Sequence, residues 1–150
     1  MNELGRLRLE WKKAGQAVIL TNGCFDILHP GHIYLFREAK KLGDVLIVAV
    51  NSDESVRMIK GPSRPIFPLE ERLEILSSIE NIDHLVSFKE ETPRQVIASL
   101  LPDVLVKGGD WGFGQIVGRK EVEKAGGRVI LIPYQKGKST SKIIKKILEN

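Results

Sequence analysis

Residues 17–50 read AVILTNGCFDILHPGHIYLFREAKKLGDVLIVAV, and the fold class follows from how this stretch is punctuated. An apolar run rich in β-branched residues, Ala17 to Thr21, gives way to a polar loop and a helical pattern. A second such run, Val45 to Val50, follows. Pro30 suits a first helical turn, where its missing N–H leaves no bond unmade, and Gly43 suits a helix end. Two apolar strands joined through a helix predict a βαβ unit with parallel pairing, since only a long crossover returns the chain in the same direction.

The alternation continues outward. Leu85 to Phe88, Val104 to Val106 and Val129 to Ile132 read as further buried strands. Helix starts are marked by Ser52 before DESVRMIK, Pro68 before LEERLEILSSI, Thr92-Pro93 before RQVIASLL, and Ser139 before TSKIIKKIL. A further helical segment begins near Ile116 and stops at Gly126-Gly127, and Asn2 to Lys13 predicts an extra helix packed on the outside. About five repetitions of strand and helix predict an α/β fold: a doubly wound, five-stranded parallel, Rossmann-like sheet with right-handed crossovers. In such sheets ligands sit beyond the carboxyl ends of the strands, near the point where strand order reverses. Function is therefore expected in the loops that follow strands. The least regular of the other loops is Gly61 to Pro68, GPSRPIFP, either a plain connection or a lid.

Composition narrows the class. With 150 residues, 42% hydrophobic and 28% charged, the chain matches a globular domain and predicts one domain over residues 1–150, too short to include a separate kinase. No apolar run reaches the roughly 20 residues that span a bilayer, and no secretory pattern is visible, so a cytoplasmic protein without membrane partners is expected. The single cysteine, Cys24, fits a reducing compartment. Net charge is +4, from 23 Lys+Arg against 19 Asp+Glu. Its densest patch, Lys136, Lys138, Lys142, Lys145 and Lys146, is first of all a solvated helix face; with only Tyr134 nearby, nucleic acid is not an expected partner.

The chemistry is carried by His29-Pro30-Gly31-His32. Two imidazoles three residues apart at a helix start lie over one turn, with a glycine that admits a bulky anion to backbone N–H groups and to the positive end of the helix dipole. Such fixed donors can stabilise charge on phosphate oxygens as pyrophosphate leaves. Zinc would need further ligands, and His84 and Cys24 lack suitable spacing, so no metal site is expected in the protein itself. The segment contains no G-x-S-x-G, no G-x-G-x-x-G follows the first strand, and G-x-x-x-x-G-K-[ST] is absent, which removes hydrolase, dehydrogenase and P-loop readings.

GCFDILHPGH resembles the signature of the cytidylyltransferase-like nucleotidyltransferases, and Ser139-Thr140-Ser141 before Lys142 resembles their second signature, a Ser/Thr cluster opening the last helix. Lys138 departs from many relatives, which carry an apolar residue or cysteine before the serine. Within that group AKKLGDVLIVAVNSDESV, KGPSRPIFPLEER, LPDVLVKGGDW and IVGRKEV are most similar to the adenylyltransferase domain of bacterial heptose biosynthesis. Glycerol-3-phosphate cytidylyltransferases and FAD synthetases share the motif, and a non-catalytic nucleotide sensor could share the scaffold.

The resemblance implies in-line attack of a sugar 1-phosphate on the α-phosphorus of ATP, Mg2+ arriving with ATP, and a possible homodimer. It implies catalytic roles for His29 and His32. Nucleotide contacts are expected from Cys24, Phe25, Gly31, Asp110, Trp111, the Tyr134 to Lys138 loop, Ser139, Thr140 and Ser141. Acceptor contacts are expected among Lys60, Arg64, Arg72 and Arg119, with Asp44 and Asp53 for sugar hydroxyls; ion pairs and caps would account for each of these equally well. Asp26 is expected to fix its loop by accepting N–H bonds.

Overall fold

The computed structural model describes residues 2–109, 112–133, 137 and 139–150. In chain order the elements are α1 (Glu3–Lys13), β1 (Val18–Gly23), α2 (Pro30–Lys40), β2 (Val45–Asn51), α3 (Asp53–Lys60) and α4 (Leu69–Ser77). β3 (His84–Phe88), α5 (Arg94–Leu100), β4 (Val104–Gly108), a 3-10 turn at Phe113–Gln115, α6 (Arg119–Lys124), β5 (Arg128–Ile132) and α7 (Thr140–Leu148) complete the chain. The helix starts fall where the caps predict them. Asn2 accepts from Gly5 N, Ser52 from Ser55 N and Ser139 from Lys142 N, each satisfying a donor that the helix itself leaves open.

The sheet has order β3-β2-β1-β4-β5 with every neighbouring pair parallel. From β1 the chain winds outward through β2 to β3, then returns to the other side of β1 for β4 and β5. The reversal therefore lies between β1 and β4, which pair at Ile19–Val104 and Leu20–Leu105, and opens beyond their carboxyl ends. This is the expected doubly wound, five-stranded parallel sheet, and it places the loop carrying His29 at the switch point.

Because both faces are covered, the central strands carry almost no polar residues. Val18, Leu20, Ile47 and Leu105 pack on one side with Ile97 of α5 and Val122 of α6. Ile19, Leu46, Val48 and Val106 pack on the other with Phe36 and Ala39 of α2 and Leu76 of α4. α1 docks beside α5 through Arg8, whose guanidinium donates to Leu100 O, Leu101 O and Asp103; Asp103 in turn accepts from Val18 N.

Arg72 of α4 corrects the sequence expectation. Placed in LEERLEIL, it is expected as a surface partner of nearby Glu residues or as an acceptor cation, yet it is 1% exposed. Its Nη1 donates to Cys24 O at 2.6 Å and Asn51 O at 2.7 Å, its Nε to Phe67 O at 3.0 Å, and its Nη2 to Asp53 Oδ1 at 2.8 Å. One side chain thus joins the ends of β1 and β2, the start of α3 and the Gly61–Pro68 loop. Replacing Arg72 with Met removes all four bonds and strands the carbonyls, so urea unfolding should show a loss of about 3–5 kcal/mol, the range for one broken member of a buried ionic network. A loss below about 1 kcal/mol would show that other contacts hold these segments together.

Candidate active site

His29 is the N-cap of α2 and His32 lies in its first turn. Gly31 N donates to His29 Nδ1 at 3.1 Å, and His29 N donates to His32 Nδ1 at 3.3 Å. A neutral imidazole whose Nδ1 accepts carries its proton on Nε2, so both rings are set as Nε2–H donors by backbone amides that the helix leaves open. The rings stack with centroids 3.8 Å apart, and the Phe25 ring meets His32 edge-on at 5.4 Å. Phe25 itself has φ +48°, a left-handed conformation that a bulky residue rarely adopts, and it is held there by burial of its ring against Phe36. Leu28, His29, Pro30, Ile33 and Arg37 border an open pocket of about 570 Å3 beside these rings.

Burial, and secondly the neighbouring His29, push the His32 pKa from the ordinary 6.5 down to about 4. His32 is therefore neutral near pH 7, a hydrogen-bond donor and not a cation. In the β1–α2 loop, Asp26 is 2% exposed and accepts from Ile66 N, Phe67 N and Arg64 Nε. Burial alone would raise its pKa; the two amides and the guanidinium outweigh that and hold it below the usual carboxylate value. Asp26 thus anchors the Gly61–Pro68 loop to the β1–α2 loop, as its expected loop-fixing role requires.

α7 reaches the same place. Thr140 Oγ1 donates to Ile27 O at 2.8 Å, which ties the start of α7 to the loop carrying His29 across 113 residues of sequence. Ser139 caps the helix, and Ser141 is exposed in its first turn. Two helix N-termini, both favourable to anions, are brought together by this bond.

The remaining expected residues divide. Cys24 and Gly31 lie in the loop and helix start just described, and Lys60, exposed at the end of α3, is close enough to Cys24 to pull its pKa down against the larger upward effect of burial. Arg64 and Asp53 are committed to Asp26 and Arg72. Asp44 precedes β2 and accepts from Ala17 N, at the opposite end of the sheet from His29. Arg119 pairs with Glu123 one turn along α6. His84 opens β3 against Trp11, also at the far end. Asp110, Trp111, Tyr134 to Lys136 and Lys138 lie outside the described residues. Among the described residues no group of three or more His, Cys, Asp or Glu side chains gathers in a metal-holding arrangement, and no helix is long and apolar enough to cross a membrane.

Arg72 was named from the sequence, but its role as a buried brace was hidden by its Glu-rich neighbours; Lys107 was not singled out as a site residue. Lys107 had a visible signal: it interrupts the apolar run of a strand buried on both faces.

A doubly wound parallel sheet with a paired-imidazole helix start at its switch point is the architecture of a nucleotidyltransferase. The chain belongs to the cytidylyltransferase-like family, whose model matches residues 20–146. It is 52% identical over 139 residues to Bifunctional protein HldE of Shigella flexneri serotype 5b (strain 8401), and equally to that of Escherichia coli strain K12 / DH10B. Each match covers 93% of this chain and 29% of the relative, so the chain spans under a third of these proteins. Among solved structures, a lipopolysaccharide core biosynthesis protein from Thermoplasma volcanium GSS1 is similar, with TM-score 0.67 and 30% identity, covering 83% of this chain and 100% of that one. Pantoate-beta-alanine ligase from Francisella tularensis shares the fold, with TM-score 0.61 and 18% identity, covering 98% of this chain and 76% of that one.

The His32 environment makes a pH prediction. His32 contributes folding stability that is fully present above about pH 6.5 and is lost as pH falls toward 4, because protonation is disfavoured in the folded chain. An NMR titration of the ring should give a midpoint near 4, and His29→Gln should raise it only in part, since burial is the larger cause. A midpoint near 6.5 in the folded chain would contradict the buried, neutral ring.

Proposed function

We propose that this chain transfers the adenylyl group of ATP to D-glycero-β-D-manno-heptose 1-phosphate, releasing pyrophosphate and forming ADP-heptose, as a single cytoplasmic nucleotidyltransferase domain. The observation that carries the reading is the pair of backbone-tethered imidazoles, both set as Nε2–H donors, at the switch point of the sheet. The choice of a heptose acceptor rests on the 52% identity to HldE proteins and on the stretches that resemble heptose adenylyltransferases.

In this reaction an oxygen of the sugar phosphate attacks the α-phosphorus in line, and the bond from that phosphorus to the bridging oxygen breaks, the electron pair leaving with pyrophosphate. The attacking monoester is already an anion near pH 7, so no general base is required. His29 and His32 donate to the bridging and β-phosphate oxygens, where charge grows as the bond breaks. The backbone of Cys24, Phe25 and Gly31 lines the triphosphate, and the Ser139, Thr140 and Ser141 helix start takes its β- and γ-phosphates. Asp110 and Trp111 are assigned to ribose and base. Lys60 supplies positive charge at the mouth.

Magnesium bound to the phosphates supplies charge neutralisation for the transfer. Among the described residues, Asp26 and Asp53 are both engaged with arginines, so phosphate and water oxygens would hold such an ion.

Replacing His29 or His32 with Ala removes one preorganised donor and should lower kcat by about 10²- to 10³-fold with cooperative unfolding retained. Pyrophosphate release measured with ATP, CTP, GTP and UTP against the heptose 1-phosphate should favour ATP. Near-normal turnover in either variant, or preference for CTP with glycerol 3-phosphate or for FMN as acceptor, would overturn the assignment.

A further inference from the structure

Among the described residues, β3 ends the sheet on one side and β5 on the other, and no strand pairs with their outer edges. Such an edge is a row of unpaired N–H and C=O groups, and chains that stay apart blunt theirs with charge, proline or a bulge. β5 carries a device of this kind, the exposed Arg128 at its first residue. β3 carries none. Its sequence, His84-Leu85-Val86-Ser87-Phe88, holds no proline, lysine, arginine or acid. Its ladder to β2 runs unbroken from Ile47–His84 to Asn51–Phe88, so no bulge bends it away. From His84 to Ser87 it is half-buried or exposed, whereas β2 beside it is wholly buried.

The ladder also settles which groups face out. Asp83 N donates to Leu46 O, so Asp83 and Leu85 turn their peptide groups to β2, and His84 and Val86, alternating with them, turn theirs to the open side. Two antiparallel copies of this strand that overlap along its whole length set Val86 opposite Val86 and His84 opposite Phe88. One residue past each end, Asp83 then stands opposite Lys89. In that register the outward peptide groups of the two Val86 residues can exchange both their bonds. The side-chain parity agrees, because residues an even number apart lie on one face of a strand. Lys89 is exposed, and its ammonium has no partner among the described residues. Asp83 gives Oδ2 to Lys40 and Leu46 N, and among the described residues its Oδ1 is open. β5 offers no such match, since residues 125–136 contain no acid to set against Arg128.

We infer that β3 is an interface between two copies of this chain, joined edge to edge about a two-fold axis at Val86 into one sheet with five strands from each. The axis reverses strand direction, so the two mouths open at opposite ends of the joined sheet and neither copy covers the other's histidines. Leu9 of α1 and Ile75 of α4, left exposed on the two helices that cover β3 from its opposite faces, widen the apolar surface on offer. A ladder from Asp83 to Lys89 is roughly 24 Å long and falls short of a standard interface of about 1,600 Å2, so the dimer is reversible, in the micromolar range.

Sedimentation velocity of the full chain between about 1 and 200 µM should show monomer passing to dimer. Ser87→Lys, at an exposed position, sets a charge in the edge and should keep the chain monomeric over that range. Lys89→Glu opposes two acids at both ends of the ladder and should weaken the dimer about tenfold, with a smaller effect in about 1 M salt. Thermal unfolding at the lowest concentration, where every chain is monomeric, should coincide for wild type and both variants, which separates lost pairing from lost fold. Hydrogen exchange reads the register: the His84 and Val86 amides should exchange severalfold more slowly in the dimer, and the β5 amides should not change. A wild-type chain still monomeric at about 200 µM overturns the inference, whatever other chain the edge accepts. So does a dimer that Ser87→Lys leaves intact, or one in which the Val86 amide gains no protection.

Discussion

A buried guanidinium shapes the mouth of this sheet. Parallel strands end in loops whose carbonyls have no ladder partner, and at Cys24 and Asn51 those carbonyls converge on Arg72, together with Phe67 O and the Asp53 carboxylate. Burying a charge costs several kcal/mol, and hydrogen bonds to a charged group return roughly 1.5–3 kcal/mol each. Four such bonds suffice to offset the cost, whereas one or two would not. Lysine could not replace the planar fork, since its compact ammonium cannot span four acceptors spread over three segments. An apolar side chain would leave three carbonyls unmet. The start of the β1–α2 loop, which leads to both imidazoles, is held at Cys24 by this residue.

Asp26 extends the same principle with the opposite charge. Its carboxylate gathers two amides and the Arg64 guanidinium from the Gly61–Pro68 loop, while the neighbouring Cys24 carbonyl is gathered by Arg72. The loop and the segment after β1 are therefore fastened to each other at two points only two residues apart. Of the two sequence readings of GPSRPIFP, a connection or a lid, the structure shows a strap whose backbone N–H groups are already engaged, which fixes the floor of the site before any ligand arrives.

The sequence discloses this fold well because its signals are local. Strand runs at Val45 to Val50 and Val129 to Ile132, caps at Ser52 and Ser139, and Pro30 at a helix start are each readable within a few residues. The paired imidazoles are legible for the same reason, being three residues apart on one turn. What escaped was nonlocal. Arg72 and Asp53 are 19 residues apart and Arg72 and Cys24 are 48 apart, so nothing near LEERLEIL distinguishes a surface arginine from a buried brace. Asp44 failed as an acceptor candidate for a related reason: residues before and after a parallel strand have similar composition, but they lie at opposite poles of the sheet. Lys107 lies between these cases, since its place in a buried strand was a visible anomaly in the sequence.

The division of charge across the site suits the proposed displacement. Two phosphate-bearing anions must be brought together, and at 4 Å in a protein-surface environment their repulsion amounts to about 4 kcal/mol per pair of unit charges. A cation at the mouth, such as the exposed Lys60, would answer that repulsion in the ground state. On the leaving side the demand differs: charge accumulates on the bridging oxygen only as the bond breaks. Neutral Nε2–H donors bind a ground-state phosphate modestly and strengthen as that charge grows, so their effect falls on the transition state. Protonated imidazoles would instead hold ATP and pyrophosphate alike, slowing release without a matching gain in the chemical step. The burial that keeps His32 neutral thus serves the proposed chemistry, and the Phe25 ring, edge-on to His32, lies beside it.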